Sequence, residues 1–191
     1  MFALLLASVL LFLPATAAAA SNVDPTEPNY WVWNDTIGWI DFCNPASGAC
    51  TLGVELTNTQ LTGYATSDTL GVIALDCATT PVGDVCGSSN FKVSNSDGGL
   101  AGWAWNDAIG WISFCGSSGS VSMAQGNGWK CPLNPTYQVA VNIGTGEFSG
   151  FAWNDVVGWI SFNCSDTNSC APSGVDYWLK TSWQLTIVSG E

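Results

Sequence analysis

Short stretches in which large apolar residues alternate with small or polar ones recur along the chain and predict β-strands. Residues 102–105 and 111–114 both show this period of two, which is typical of strands because successive side chains point to opposite faces of a sheet. Asp107 and Gly110 lie in the gap between them. An Asp side chain can bond the backbone two residues on, and Gly can adopt the left-handed conformation before a return strand. The pattern therefore predicts a β-hairpin.

A third alternating segment precedes the hairpin. Phe91 and Val93 mark it here, and similar segments begin near residues 54 and 137. Turn-forming residues, such as those at 95–99, join each segment to the hairpin that follows. We therefore predict a three-stranded antiparallel meander as the building unit of the fold.

The hairpin pattern is an internal repeat, which is typical of repeat architectures. The sequence W-V-W-N-D-T-I-G-W-I-D-F at residues 31–42 recurs as W-A-W-N-D-A-I-G-W-I-S-F at 103–114 and as F-A-W-N-D-V-V-G-W-I-S-F at 151–162. Residues 64–75, Y-A-T-S-D-T-L-G-V-I-A-L, form a divergent copy in which Thr66 and Val72 replace two tryptophans. Asp and Gly persist in all four copies, so they are predicted to form the turns. These turn residues are Asp35, Gly38, Asp68, Gly71, Asp107, Gly110, Asp155 and Gly158.

The cysteines follow the hairpins in pairs. The pairs are Cys43 with Cys50, Cys77 with Cys86, Cys115 with Cys131, and Cys164 with Cys170. In an exported chain this arrangement favours disulfides between nearest neighbours, each closing one local loop. A metal-thiolate site is the weaker interpretation, because the chain contains no C-x-x-C pair.

These units predict an all-β fold of four tandem three-stranded antiparallel meander repeats with local disulfides, in one domain over residues 21–191. The copies span about residues 29–53, 54–90, 91–136 and 137–174, with a terminal strand within 175–191. The first copy lacks a leading strand, whereas a spare one lies at residues 175–179. Two alternatives follow. Either the repeats close into a propeller-like or sandwich arrangement, or they form an open stacked array whose terminal edge is free to pair with another molecule.

The first 20 residues are predicted to be a secretory signal peptide. Residues 2–13 form an apolar run that is too short to span a membrane, and Ala18, Ala19 and Ala20 satisfy the preference for small residues at a cleavage site. No downstream segment is long and apolar enough to be a transmembrane helix. We therefore expect a secreted protein, either extracellular or held at the cell surface.

Charge and composition exclude several classes of function. The chain has no His, which removes Ser-His-Asp and Cys-His nucleophile systems and imidazole metal sites. Its formal net charge is −12 with only three Lys or Arg residues, so it cannot neutralise a phosphate backbone. Nucleic acid is therefore not an expected partner.

The repeat resembles the tryptophan-rich repeat segments of secreted proteins from uncultured bacterial lineages. Those segments carry a G-x-A-W-x-x-x-x-G-W-I-x-F core followed by two Cys, and the resemblance covers most of residues 29–180. It implies an exported, disulfide-bearing surface or extracellular protein. The family brings no assigned chemistry.

Most tryptophans lie within the repeat, and they are the candidate ligand-binding residues. Within a hairpin they occupy one face while Ile112 and Phe114 occupy the other, so that both faces are apolar. Three interpretations remain: the tryptophans fill a core between sheets, bind sugar rings, or form a self-assembly interface. Trp129, beside Lys130 in the long loop at 116–128, is a further candidate contact. The repeat tryptophans are Trp31, Trp33, Trp39, Trp103, Trp105, Trp111, Trp153 and Trp159.

The carboxylates do not form an evident catalytic or metal centre. Each turn offers one Asp, whereas a calcium loop normally groups several oxygen ligands. No cofactor is therefore expected, and calcium is the weaker alternative. Glycoside hydrolysis would need paired carboxylates across a cleft, and Asp41 and Glu147 are the available single-copy residues. We therefore predict a non-catalytic extracellular structural or adhesive protein that assembles with itself through edge strands and aromatic faces. A carbohydrate-binding module for surface glycans is the alternative, ahead of a glycoside-active enzyme.

Overall fold

A computed structural model of the protein describes residues 21–117, 131–132 and 134–185. The described chain is built from short antiparallel strands and one 3-10 helix, and none of its helices is long and apolar enough to cross a membrane. The predicted all-β class is confirmed. In chain order the strands are β1 (Trp31–Asn34), β2 (Gly38–Asp41), β3 (Pro45–Ala46), β4 (Ala49–Cys50), β5 (Glu55–Leu56), β6 (Gln60–Thr62), β7 (Tyr64–Ser67), β8 (Gly71–Ala74), β9 (Val93–Ser96), β10 (Gly99–Asn106), β11 (Gly110–Ser113), β12 (Cys115–Gly116), β13 (Tyr137–Val141), β14 (Phe148–Asn154) and β15 (Gly158–Ser161), and the 3-10 helix is Cys164–Thr167.

The four repeat hairpins close into an eight-stranded antiparallel barrel. Each hairpin pairs with the next, in the order β1, β2, β7, β8, β10, β11, β14 and β15. The barrel closes where β15 returns to β1, with Trp33 opposite Ser161 and Asn34 opposite Ile160. Of the two predicted alternatives, the chain adopts the closed one, as a barrel and not as the propeller-like or sandwich arrangement that was expected. Closure pairs every strand of the ring on both sides and leaves no edge in it.

The barrel interior is filled by one isoleucine and one smaller residue from each hairpin. Ile112, for example, lies directly opposite Ala104, and both are buried. An eight-stranded barrel is just wide enough for side chains to fill, so alternating large and small residues suit its bore. The complete set of such pairs is Val32 with Ile40, Ala65 with Ile73, Ala104 with Ile112, and Ala152 with Ile160.

A second set of strand pairs lies at one end of the barrel. In three copies the chain of the first hairpin strand extends beyond the barrel on its N-terminal side, past a kink. The kink is a glycine with positive φ, at Gly63 between β6 and β7, Gly102 within β10 and Gly150 within β14. A Cβ at Gly63 would collide with the backbone of Gly53, and one at Gly150 with the backbone of Gln138, so only glycine fits there. On the N-terminal side of the kink the chain pairs with the leading strand of its own unit, which is β5, β9 or β13. The predicted three-stranded meander is therefore present in the second, third and fourth copies.

The C-terminal segment supplies the strand that the first copy lacks. Its residues 178–181 form antiparallel bridges to Asn163, Tyr30, Glu147 and Val23, which come from the N-terminal segment and from the fourth copy. The Phe148 N–H donates to the Leu179 carbonyl at 2.8 Å, which ties this segment to β14. Within the described residues the spare strand thus pairs with its own chain and does not present the free terminal edge of the open array.

All four predicted disulfides are present as nearest-neighbour pairs. They join Cys43 to Cys50, Cys77 to Cys86, Cys115 to Cys131, and Cys164 to Cys170. Each closes the loop that leaves the second strand of a hairpin, so the connections between repeats are constrained locally.

Candidate functional site: an aromatic belt around the barrel

Tryptophans from three repeats lie on the outer face of the barrel. They alternate along the strands with the buried residues of the bore, and Trp39, Trp111 and Trp159 are 38%, 41% and 49% exposed. The repeat tryptophans therefore do not fill a core between sheets, since none of the eight is among the buried core residues, although Trp31 and Trp105 are partly buried and pack against core clusters. We call the six tryptophans next to the hairpin turns the tryptophan belt. It consists of Trp33, Trp39, Trp105, Trp111, Trp153 and Trp159.

The two belt tryptophans of a hairpin face each other across the strand pair. Their ring centroids are 4.6 Å apart in each of the three intact copies, with interplanar angles of 64°, 65° and 63°. This edge-to-face geometry is the arrangement that aromatic rings favour. The same arrangement in three sequence contexts indicates that it belongs to the repeat itself.

Each repeat aspartate fixes the orientation of one belt tryptophan. The indole N–H of Trp105 donates to Asp107 at 2.8 Å, and the equivalent bonds of Trp33 to Asp35 and Trp153 to Asp155 measure 2.7 and 2.9 Å. The aspartates are exposed. Every intact repeat therefore presents a held indole and a carboxylate side by side to solvent.

The hairpin turn is held by an asparagine and not by the aspartate that was predicted to form it. The sequence analysis did not single out this asparagine. The Oδ1 atom of Asn154 accepts the N–H groups of Val156 and Val157 at 2.8 and 3.0 Å. Asn34 and Asn106 make the same bonds in their copies. The turn role assigned to Asp35, Asp68, Asp107 and Asp155 thus falls to the residue before each, which is Ser67 in the divergent copy. The glycines at 38, 71, 110 and 158 do have the expected positive φ.

The same asparagine connects neighbouring repeats. Its amide group crosses to the preceding hairpin, where Asn154 Nδ2 donates to the carbonyls of Ile109 and Trp111 at 3.0 and 2.8 Å. The divergent copy has Ser67 at this position, and there the Thr69 hydroxyl donates to the Ile37 carbonyl at 3.1 Å. The recurrence of Asn in the three intact copies is the signal from which this role could have been found.

A ring from the segment that leads into or forms the leading strand packs against each exposed tryptophan. Tyr137 meets Trp159 with ring centroids 5.1 Å apart, and Phe91 and Tyr177 meet Trp111 and Trp39 at 5.5 and 5.4 Å. Burial raises the pKa of Tyr137, and the charge of Asp155 raises it further, against the lowering effect of the hydrogen bond with Ser113. Tyr137 therefore stays protonated at neutral pH, and its hydroxyl donates to Ser113 Oγ at 3.0 Å.

A cleft of about 460 Å³ lies on the belt where the third and fourth copies meet. Trp105 and Trp111 form one side of it, and Trp153 and Asp155 form the other. Its volume is within the range of about 300–1,000 Å³ that is usual for small-ligand sites. Aromatic walls and a carboxylate are its main chemical features.

The remaining candidate residues are engaged elsewhere or lie outside the described chain. Asp41 accepts the N–H groups of Cys43 and Asn44, and Glu147 pairs with Lys180 at 3.4 Å. Among the described residues, the one close group of potential metal ligands is Cys164, Cys170 and Asp176, and both of its cysteines are in a disulfide. The predicted signal peptide at 1–20 and Trp129 lie outside the described residues.

Similarity to known proteins does not assign this site. No family model matches the chain, and no curated protein and no solved structure matches it. The belt and the surfaces beside it are therefore the features that indicate its function.

Proposed function

We propose that the protein is a non-catalytic extracellular adhesive module that binds neutral glycan chains through the tryptophan belt. The observation that carries this proposal is the repeated outward pair of tryptophans with an aspartate bonded to one indole. Large apolar patches left on a protein surface are usually interaction sites. Four disulfides in a chain of this size support an oxidising, extracellular location.

The chemistry of the belt suits sugars better than other ligands. A pyranose ring has an apolar face of C–H groups that packs on an indole, and hydroxyl groups at its rim that donate to carboxylates. Each intact repeat offers both partners, because Asp35, Asp107 and Asp155 lie next to their tryptophans. The net charge of −12 disfavours anionic polysaccharides, so the expected ligands are uncharged.

Rigidity of the belt also supports recognition of a ligand. Each exposed tryptophan is held by three other rings, as Trp159 is by Tyr137, Phe151 and Trp153 at 5.1, 5.9 and 4.6 Å. A surface that is already ordered loses little conformational entropy when it binds. Assembly through a free C-terminal edge has less support, because that strand pairs within its own chain.

Replacing an exposed belt tryptophan should weaken glycan binding without unfolding the protein. For Trp111→Ala and Trp159→Ala we expect affinity for the bound polysaccharide to fall about tenfold or more, since truncating a tryptophan hot spot costs about 2 kcal/mol or more and about 1.4 kcal/mol corresponds to tenfold. The measurement is affinity electrophoresis and pull-down of the oxidised protein with a panel of neutral polysaccharides, such as cellulose, mannan, xylan and chitin.

The divergent copy offers the matched control. Val72 occupies the position of Trp111 and Trp159 and is 38% exposed, so Val72→Ala should leave glycan affinity unchanged. Light scattering of the same samples separates glycan binding from self-association. Full binding by both tryptophan variants would contradict the proposal, as would a folded protein that retains none of the panel.

A further inference from the structure

A cavity of about 470 Å³ lies beside the belt at the divergent copy. In this copy Val72 replaces a belt tryptophan, and it lines the cavity together with Trp105 of the following repeat. The loop between Cys77 and Cys86 covers this space from outside. The cavity is therefore a product of the divergence, and it differs in chemistry from the belt.

Apolar side chains form most of the cavity wall. Val72 and Ala74 come from β8, while Pro81, Val82 and Val85 come from the disulfide-closed loop. Val82 is 87% exposed and stands at the mouth. An apolar wall in contact with water favours a ligand that has apolar surface of its own.

Three aromatic rings complete the wall. Trp111 packs edge-to-face on Phe91 and Trp105, with centroids 5.5 and 4.6 Å apart. Asp107, whose carboxylate accepts the Trp105 indole N–H, also lines the cavity. Aromatic faces carry negative electrostatic potential, so rings and carboxylate together attract positive charge.

The polar groups are too few for a sugar. Besides Asp107, the polar lining residues are Thr80 and Ser89, and the Thr80 hydroxyl already donates to the Gly83 carbonyl at 2.7 Å. A polyhydroxylated ring would leave hydroxyl groups unpaired against valine and proline, which is costly. A primary ammonium would likewise lose its hydration to apolar walls.

We propose that this cavity binds an organic cation of the quaternary ammonium class. Alkyl groups on the nitrogen would contact the valine, proline and aromatic walls, and the diffuse positive charge would lie near Asp107 and the indole rings. The net charge of −12 raises the local concentration of any cation at the surface. This site shares Trp105, Trp111 and Asp107 with the belt of the third copy and is separate from the belt positions of the first and fourth copies, so cation binding is measured in the absence of glycan.

The test compares choline with its uncharged isostere, 3,3-dimethylbutan-1-ol, by calorimetry and tryptophan fluorescence on the oxidised full-length mature chain. We expect saturable choline binding and at least about tenfold weaker binding of the alcohol, because cation–π and carboxylate attraction require the charge. Equal affinities would overturn the proposal by showing a merely apolar cavity. The absence of saturable choline binding would also overturn it.

Two pairs of variants locate the cation. Asp107→Asn should weaken choline binding about fivefold or more, whereas Asp155→Asn, which removes the same carboxylate from the fourth copy, should change it less than about twofold. At the exposed mouth, Val82→Lys should weaken binding about threefold and Val82→Glu should strengthen it, with the fold and glycan affinity unchanged. Equal losses in both aspartate variants would overturn the assignment to this cavity.

Discussion

Replacing Asn154 by alanine should lower the free energy of unfolding by about 3 kcal/mol or more, because each buried hydrogen bond contributes about 1 kcal/mol net and unpaired buried partners cost more. Asn154 is 1% exposed and its side chain makes four bonds. Alanine would leave the N–H groups of Val156 and Val157 without their acceptor. The carbonyls of Ile109 and Trp111 would lose their donor. Urea unfolding with the disulfides intact, followed by tryptophan fluorescence, measures the effect.

Ser67 is the matched control for this prediction. It occupies the position of Asn154 in the divergent copy, and its hydroxyl accepts one bond, from the Thr69 N–H at 3.3 Å. Ser67→Ala should therefore cost about 1 kcal/mol or less. If Asn154→Ala proved no more destabilising than Ser67→Ala, the asparagine would not be the connection between repeats that its geometry indicates.

The Gly146→Ala variant should be destabilised by about 3 kcal/mol and should loosen the C-terminal strand, since positive φ and overpacking both act against alanine. Gly146 has φ +75°, and a Cβ there would collide with the Thr181 carbonyl oxygen. The Thr181 N–H also donates to the Gly146 carbonyl at 2.9 Å. Hydrogen exchange at residues 178–181, together with urea unfolding, reports both effects.

Gly144 provides a control within the same turn. A Cβ at this position would have the Asn142 Oδ1 atom at 3.4 Å as its nearest neighbour, and its φ is not positive. Gly144→Ala should therefore change stability by less than about 1 kcal/mol. Unchanged exchange at residues 178–181 in Gly146→Ala would show that the C-terminal strand is not held against this turn.

Local features of the fold could be predicted from the sequence because their causes are local. The period of two in residues 102–105 and 111–114, with Gly110 between them, predicts the hairpin that β10 and β11 form. The cysteine spacing likewise predicts disulfides between neighbours, such as Cys43 and Cys50. Strand alternation and short loops depend on residues that are close in the chain, so the pattern alone is sufficient.

The alternation did not reveal which face of the hairpin lies inside. Trp103 and Trp105 share one face, Ala104 lies on the other, and both faces are apolar once the partner strand is included. The diameter of the closed ring decides which face lies inside. Eight strands leave a narrow bore, which isoleucine and alanine fill in this chain, and the tryptophans lie outside. That diameter depends on how many strands close the ring, which is a property of the whole fold.

Pairing between distant segments was also decided by the tertiary structure. Residues 178–181 pair with Tyr30 and Val23. The Asn34 amide donates to the carbonyls of Val157 and Trp159. The cavity at Val72 depends on the loop between Cys77 and Cys86. The sequence by itself determined the repeat, its hairpins, its disulfides and the chemistry available to a surface. Closure of the ring determined that this chemistry faces outward, because only the assembled barrel sets which side chains fit within it.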